Sequence, residues 1–412
     1  MSRPGCPRRG LALLTVLGLA LAAVAHAQDA PAPATRAEAL EALRAARTVE
    51  PVTRPLLERA LIYVEEKRIV ERLNPPEGFY PLVGSVARGS GWGVGAGYRR
   101  RPLDGRLRVD TSAAITFRNY QTAQFTVSAP RLAGRPIELS TGTRWYDYPQ
   151  EDFFGLGRQS NVDDRVSFTL RGLDVFGQAA ARRAGGFVTR ARAGVHRYET
   201  GRGRDAKYPT AGDLFTEATA PGLTEAPTLA YAEGAVGIDT RDEPGNTRSG
   251  GLYTVGVGLF RDRRGDFDFN RIDVTLLHVI PIFDKKRGIT LHAAASRIAP
   301  VAGGRVPFFL MPTVGGSDSL RGYRDFRFRD AAAVVLNAEY RWEAFSGLDL
   351  ALFVDAADVG PTWRSLVGAD LRSSWGLGFR FNTNRRVFLR LDAAGGREGA
   401  RLWVAMGPSF RR

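Results

Sequence analysis

From Phe79 onward, apolar and polar side chains alternate with a period of two, and this alternation constrains the fold more than any other feature of the chain. In the closing segment Leu402, Val404, Met406, Pro408 and Phe410 share one face, and Arg401, Trp403, Ala405, Gly407 and Ser409 share the other. Asn337, Glu339 and Arg341 likewise oppose Ala338, Tyr340 and Trp342. Leu350, Leu352 and Val354 oppose Ala351, Phe353 and Asp355. Nearly every segment has one apolar face and one polar or glycine face. Polar residues turned inward and apolar residues turned outward invert the pattern of a soluble sandwich and suit a transmembrane barrel.

The N-terminus sets the compartment. Arg3, Arg8 and Arg9 precede an apolar run at 11–24 that is too short to span a bilayer, and Ala25-His26-Ala27 forms a small-x-small cleavage site. Residues 1–27 therefore read as a secretory signal peptide. Cys6 is the sole cysteine and lies ahead of the apolar run, which argues against lipidation and leaves the exported part without disulfides. Beyond Ala27 no apolar run approaches the roughly 20 residues of a membrane helix. The formal net charge of +15 stays strongly positive without the three leader arginines. In an exported chain such an excess points away from nucleic acid and toward outer-membrane lipid and lipopolysaccharide.

Residues 28–35 are Ala/Pro-rich and read as a linker. Residues 36–73 read as helix, split at Pro51 and Pro55. Leu56, Ala60 and Tyr63, with Leu57, Leu61 and Val64, repeat at helical spacing before Asn74-Pro75-Pro76-Glu77-Gly78 ends the run. The helix over 56–73 has three readings: lumenal plug, periplasmic cap or interfacial helix. Residues 79–412 then read as an all-β barrel of about sixteen antiparallel strands, near 90–101, 106–118, 120–130, 136–147, 165–172, 175–183, 186–198, 228–240, 250–263, 267–281, 288–299, 331–344, 347–358, 371–383, 386–394 and 401–410. The segment 165–183 reads equally as one long strand. An even count returns both ends to the periplasm, with the short turns at 283–288 and 383–385 there and the long loops at 201–227 and 301–330 outside.

Four motifs stand out from the alternation. Leu320-Arg321-Gly322-Tyr323 follows Gly315-Gly316-Ser317 within the long 301–330 loop. Asp239-Thr240-Arg241-Asp242-Glu243-Pro244 precedes Gly250-Gly251-Leu252-Tyr253. Phe353-Val354-Asp355 lies two strands beyond the loop, and Phe410 is a terminal aromatic. Together, and in this order, they resemble the BamA/TamA-type outer-membrane assembly barrels of the bacterial surface antigen family, over about residues 79–412. The resemblance implies a loop folded back into the lumen and a bacterial outer-membrane location. It also implies assembly or insertion of client barrel proteins or lipids by lateral opening between the first and last strands. The segment ahead of the barrel reads as helix, so the resemblance is to a member lacking polypeptide-transport-associated domains. Ala357 and Thr247 depart from the family's usual glycine and proline, and Arg411-Arg412 extends past the aromatic.

A guanidinium in a partly dehydrated lumen calls for carboxylates, which it binds bidentately. Arg321 is therefore expected between Glu339 and Asp355, with Gly322 allowing close backbone approach. Arg324, Arg327 and Arg329 are expected to be solvated or to face lipopolysaccharide. Gly91, Gly93, Gly95 and Gly97 alternate with Trp92, Val94, Ala96 and Tyr98 and suggest a weak first strand. That strand would form a seam with the last, Val94 near Val404, or else receive the helix on its bare face. Catalysis finds little support. His196, His278 and His292 lack metal-ligand spacing, Gly315-Gly316-Ser317-Asp318-Ser319 is not a nucleophile elbow, and no cofactor or metal site is expected. The leading reading is assembly or insertion through a lateral seam. A structural protein or passive pore on the same barrel is the alternative, and a lipid hydrolase comes third.

Overall fold

The computed structural model describes Thr35 and residues 54–410, save Ala133 and Ala302. The signal-peptide segment, the linker and the helical stretch before Pro55 lie outside the described residues. The rest is dominated by a single sixteen-stranded antiparallel sheet in simple sequential order. Its strands are β1 (Gly78–Gly84), β2 (Gly93–Arg100), β3 (Arg108–Thr116), β4 (Gln121–Ala129), β5 (Ile137–Phe153), β6 (Val166–Arg182), β7 (Phe187–Arg202) and β8 (Thr228–Asp239). They continue as β9 (Gly250–Asp262), β10 (Phe269–Ile282), β11 (Arg287–Pro300), β12 (Ala332–Phe345), β13 (Leu348–Gly360), β14 (Arg372–Asn382), β15 (Val387–Gly396) and β16 (Gly399–Ala405). The alternation holds with the expected sense: on β12 Leu336 is exposed while Asn337 and Glu339 are buried, and on β13 Val354 is exposed while Asp355 is buried.

The count of sixteen arises from different strands than the spacing suggests. Residues 166–182 form one strand of 17 residues, not two. The sixteenth is β1, which the alternation misses because it is short and interrupted by Pro81. Consequently the Gly-rich segment is the second strand, and Gly91 lies outside it, at φ 69 in the connection before β2. Strands β5, β6 and β7 run 17, 17 and 16 residues, well beyond the roughly 9–11 a bilayer requires. Their extensions carry an extracellular cluster in which Phe308 meets Phe153 and Phe168 at 4.6 and 4.8 Å between ring centroids.

The glycines of β2 are neither bare nor covered by the helix. Tyr80, paired with Gly97, lays its ring where a β-carbon on Gly97 would stand, 2.1 Å from Cζ. Tyr146 covers Gly172 across β5 and β6 in the same way. An aromatic lying flat over a cross-strand glycine fills the lumenal face of the sheet without widening it. Helix α1 (Leu56–Glu66) instead meets the periplasmic turns: Leu61 packs on Gly347, and the Glu65 carboxylate accepts from the backbone and side-chain nitrogens of Asn384 at 3.1 and 3.0 Å. Arg68, at φ 48, breaks the helix before a further turn at Ile69–Arg72. No helix among the described residues is long and apolar enough to cross a membrane.

The sheet is not sealed. β1 and β16 are its two ends, and neither hydrogen-bonds the other among the described residues. They approach at Gly84, where an added β-carbon would lie 2.8 Å from Sδ of Met406. Because β1 ascends and β16 descends, residues 78–83 lie on the periplasmic side of that contact. There the chain leaves the wall at Gly407, φ 86, and turns into the lumen. Among the described residues β1 thus presents an edge with no strand hydrogen-bonded beside it. Cysteines at Gly84 and Met406 are expected to crosslink on oxidation, whereas cysteines at Val94 and Val404 are not, a comparison read directly by gel shift.

Candidate functional site: the lumenal arginine clamp and the open seam

The loop between β11 and β12 folds into the barrel as expected of a motif-bearing loop. Thr313–Val314 pairs antiparallel with Phe328–Arg329, and Val314, Leu320, Tyr323 and Phe328 form an apolar core with Ala333, Val335, Ala357 and Val359 of the wall. This dry base carries the tip, Leu320-Arg321-Gly322-Tyr323, to the lumenal face of β12–β15.

There Arg321 is 1 % exposed. Its Nη2 and Nε donate to Asp355 Oδ1 and Oδ2 at 2.7 and 3.0 Å, and its backbone N–H donates to Oδ2 at 3.0 Å. Nη1 donates to Glu339 Oε2 at 2.9 Å. The guanidinium lies 3.3 Å from the ring centre of Phe353, so the Phe-x-Asp motif supplies both a π face and a carboxylate. A β-carbon on Gly322 would stand 2.6 Å from Ser374 Cβ and 2.8 Å from the Gly395 carbonyl oxygen, which restricts this position to glycine by contact rather than by backbone angle.

The sequence reading missed half of the network. Arg380 on β14 donates to Glu339 at 2.7 Å and to Asp392 at 2.6 Å. Arg390 lies 3.1 Å from Asp392 and donates to the Ser317 carbonyl at 3.0 Å and to Asp318 at 3.1 Å. Asn337 and Ser374 complete Asp355 at 2.8 and 3.1 Å. Three buried guanidiniums, Arg321, Arg380 and Arg390, thus face three buried carboxylates, Glu339, Asp355 and Asp392. The cluster balances its own charge, as desolvated ions must. A signal for it exists in the sequence: each of these charges except Arg321 sits alone between apolar neighbours in a membrane strand, where ionisable residues are expensive and mark function.

The clamp also grips the seam strand. Trp403 of β16 donates its indole N–H to the Arg321 carbonyl at 2.7 Å. Past the turn at Gly407, the Ser409 hydroxyl lies 3.2 and 3.3 Å from the Glu339 oxygens. Phe410 stacks on His292 at 4.6 Å and lies among Leu252 and Leu277. Phe410 is therefore not the end of a wall strand: β16 stops at Ala405, and the aromatic is a lumenal anchor.

Two of the flanking arginines also differ from expectation. Arg327 and Arg329 are buried; Arg327 donates to Glu398 at 2.7 Å and Ser160 at 3.0 Å, and Arg329 donates to the Phe308 carbonyl at 2.9 Å. The loop folds as a small domain, and these side chains are its internal ties. Only Arg324 keeps partial solvent access. The periplasmic motif forms a self-contained turn. Asp239 accepts from Arg241 at 2.9 Å and Arg182 at 2.6 Å. The Asp242 carboxylate accepts from the backbone N–H groups of Arg248 and Glu243 at 3.0 and 2.9 Å and from Lys285 at 3.0 Å. Burial would raise the Asp242 carboxyl, but the Arg248 N–H and the Lys285 ammonium hold it at about 2. Pro244 follows within the same turn, which Asn246 ties to the Thr383 carbonyl at 2.8 Å.

The histidines are dispersed. His196 meets the Tyr146 hydroxyl at 3.1 Å, His278 meets Tyr253 at 2.6 Å on the lipid-facing side, and His292 meets Asn337 at 2.8 Å. Among the described residues no group of three or more candidate ligands could hold a metal ion.

Comparison with known proteins agrees with this architecture. The sequence matches the Omp85 superfamily domain over residues 108–395, and the chain belongs to that superfamily. It is thus a barrel of the bacterial outer membrane. Among solved structures it is similar to BamA from Haemophilus ducreyi lacking POTRA domains 1–3, with 14 % identity and a TM-score of 0.60 over 81 % of this chain and 70 % of that one. It is also similar to CdiB from Escherichia coli, with 14 % identity and a TM-score of 0.51 over 81 % of this chain and 63 % of that one. No curated protein matches the sequence.

Proposed function

We propose that this Omp85 barrel inserts or assembles outer-membrane components, barrel proteins or lipids, through the seam between β1 and β16. The observation that carries the reading is the pairing of an unsatisfied strand edge with a rigidly held neighbour. In hydrocarbon every backbone N–H and C=O needs a partner, so the free edge of β1 is a template for an incoming strand. The arginine clamp holds β16 and the tail after it away from that edge through Trp403, Ser409 and Phe410. The β11–β12 loop packs on the lumenal wall, and the aromatic cluster of the strand extensions stands at its base, which argues against a passive pore. Cleavage after Ala27 would deliver the chain to its membrane.

The test is a reconstituted insertion assay. Vesicles carrying the full chain are expected to accelerate folding of an urea-denatured barrel protein. Oxidising the Gly84→Cys, Met406→Cys pair should remove that acceleration, and reduction should restore it. A locked barrel with undiminished activity would exclude the seam as the route. A steady open conductance without acceleration would make the protein a pore.

A further inference from the structure

The periplasmic rim beside the seam concentrates exposed cations. Two turns, 101–107 between β2 and β3 and 130–136 between β4 and β5, lie there with the ends of their strands. Arg100, Arg101, Arg106, Arg131 and Arg135 are all exposed, and none makes an ion pair among the described residues. Their neighbours Arg99 and Arg108 are already neutralised, by Asp110 at 2.6 Å and Glu138 at 3.0 Å. Asp104 is the single carboxylate of these two turns. Elsewhere on the rim several cations are tied down internally, Lys285 to Asp242 at 3.0 Å, Arg182 to Asp239 at 2.6 Å and Arg248 to Asp349 at 2.9 Å, and the exposed Arg183, Lys286 and Arg385 are spread over three separate turns.

The same quadrant exposes apolar residues at the level of its cations. Leu103, held at φ 57 on the tip of its turn, is 65 % exposed, and Leu132 on the next turn is 42 % exposed. Just above them the rings of Phe79 of β1 and Tyr98 of β2 pack tilted, 4.8 Å between centroids, on the outward face. Alternating cations, apolar tips and an outward aromatic pair make up the composition of a headgroup interface. There, aromatic rings sit at the boundary and arginines reach phosphate while their stems stay in the apolar layer.

We propose that these two turns form a binding surface for anionic glycerophospholipids of the inner leaflet, with phosphate and acidic headgroups held by Arg100, Arg101, Arg106, Arg131 and Arg135. An acidic protein would satisfy the cations but leave Leu103 and Leu132 in water, whereas a lipid surface takes both. Lipopolysaccharide belongs to the opposite leaflet. Basic side chains beside an anionic surface act additively and are screened by salt, so the surface recruits these lipids to the edge of the seam. The inference needs only a barrel in a bilayer and stands apart from the insertion reading.

The experiment uses the full chain with Cys6→Ser and Leu132→Cys, labelled with a fluorophore and reconstituted in phosphatidylcholine vesicles. Trace spin-labelled phosphatidylglycerol or spin-labelled phosphatidylcholine serves as quencher. Quenching by the anionic lipid should be severalfold stronger, should weaken with added salt, and should fall to the zwitterionic level in Arg100→Gln, Arg101→Gln, Arg106→Gln, Arg131→Gln, Arg135→Gln. Retained heat-modifiable migration would show that this variant still folds. Equal quenching by the two lipids, absence of quenching by either, or selectivity unchanged in the variant would each overturn the proposal. So would binding of polyglutamate without any lipid preference, which would give the surface to an acidic protein.

Discussion

Arg321→Ala is expected to insert and migrate as a folded barrel yet release the 301–331 loop from the lumenal wall. The sixteen strands do not depend on this contact, since their backbone groups are paired within the sheet. The loop tip does, because the Arg321 side chain donates four hydrogen bonds to Asp355 and Glu339, all at sites less than 3 % exposed. Removing one partner of a buried ion pair costs about 3–5 kcal/mol, most of it the penalty of the charge left behind. Glu339 retains Arg380, so that penalty falls chiefly on Asp355, which keeps Asn337, Ser374 and the backbone N–H of residue 321 but no cation. The measurable outcome is faster protease cleavage within 301–331 and larger, noisier conductance. Arg321→Lys should show a weaker form, because an ammonium cannot span both oxygens of Asp355 while reaching Glu339. Adding Asp355→Asn to Arg321→Ala should restore part of the protection by removing the orphaned charge. Arg324→Ala, three residues along and partly solvated, should leave the cleavage pattern unchanged. Identical patterns for Arg321→Ala and Arg324→Ala would mean that the clamp does not anchor the loop.

That contrast also marks what could be read from the chain. The wall was legible because lipid outside and polar groups inside impose a period of two on each strand, and Glu339 and Asp355 were placed on the lumenal face by parity alone. Parity says nothing about which charges on neighbouring strands share a height. Arg380 and Asp392 join Glu339 only through the stagger of β12 to β15, which no local pattern encodes. Arg327 and Arg329 defeat the reading for another reason. A loop dense in arginine resembles a solvated surface unless it folds on itself, and here Phe328, Phe308 and the strand extensions supply a core that the arginines tie together. β1 escaped because seven residues with a central proline carry too little alternation, although a proline within a strand is itself the mark of an edge.

The edge makes the second prediction, at Gly407. The turn there places the chain in the left-handed region at φ 86, which a β-branched residue adopts only at a penalty of about 1–2 kcal/mol. Gly407→Val should therefore weaken the inward turn and with it the grip of Glu339 on Ser409 and of His292 on Phe410. Once straightened, the tail continues β16 down the wall, directly beside the unpaired edge of β1. Pairing two such edges in a bilayer is strongly favourable, because each backbone group left unsatisfied there costs several kcal/mol. The antiparallel register that sets Gly84 against Met406 then sets Leu82 against Pro408. Cysteines at Leu82 and Pro408 should accordingly crosslink in the Gly407→Val background and not in the parent. The variant should resist heat and denaturant more than the parent and should accelerate client insertion less. Higher stability with lower activity would identify the lumenal tail as what keeps the seam open. If instead the Leu82–Pro408 crosslink fails and heat resistance drops, the tail only fills the lumen, and the spacing of β1 from β16 must be set by Trp403 and the arginine clamp.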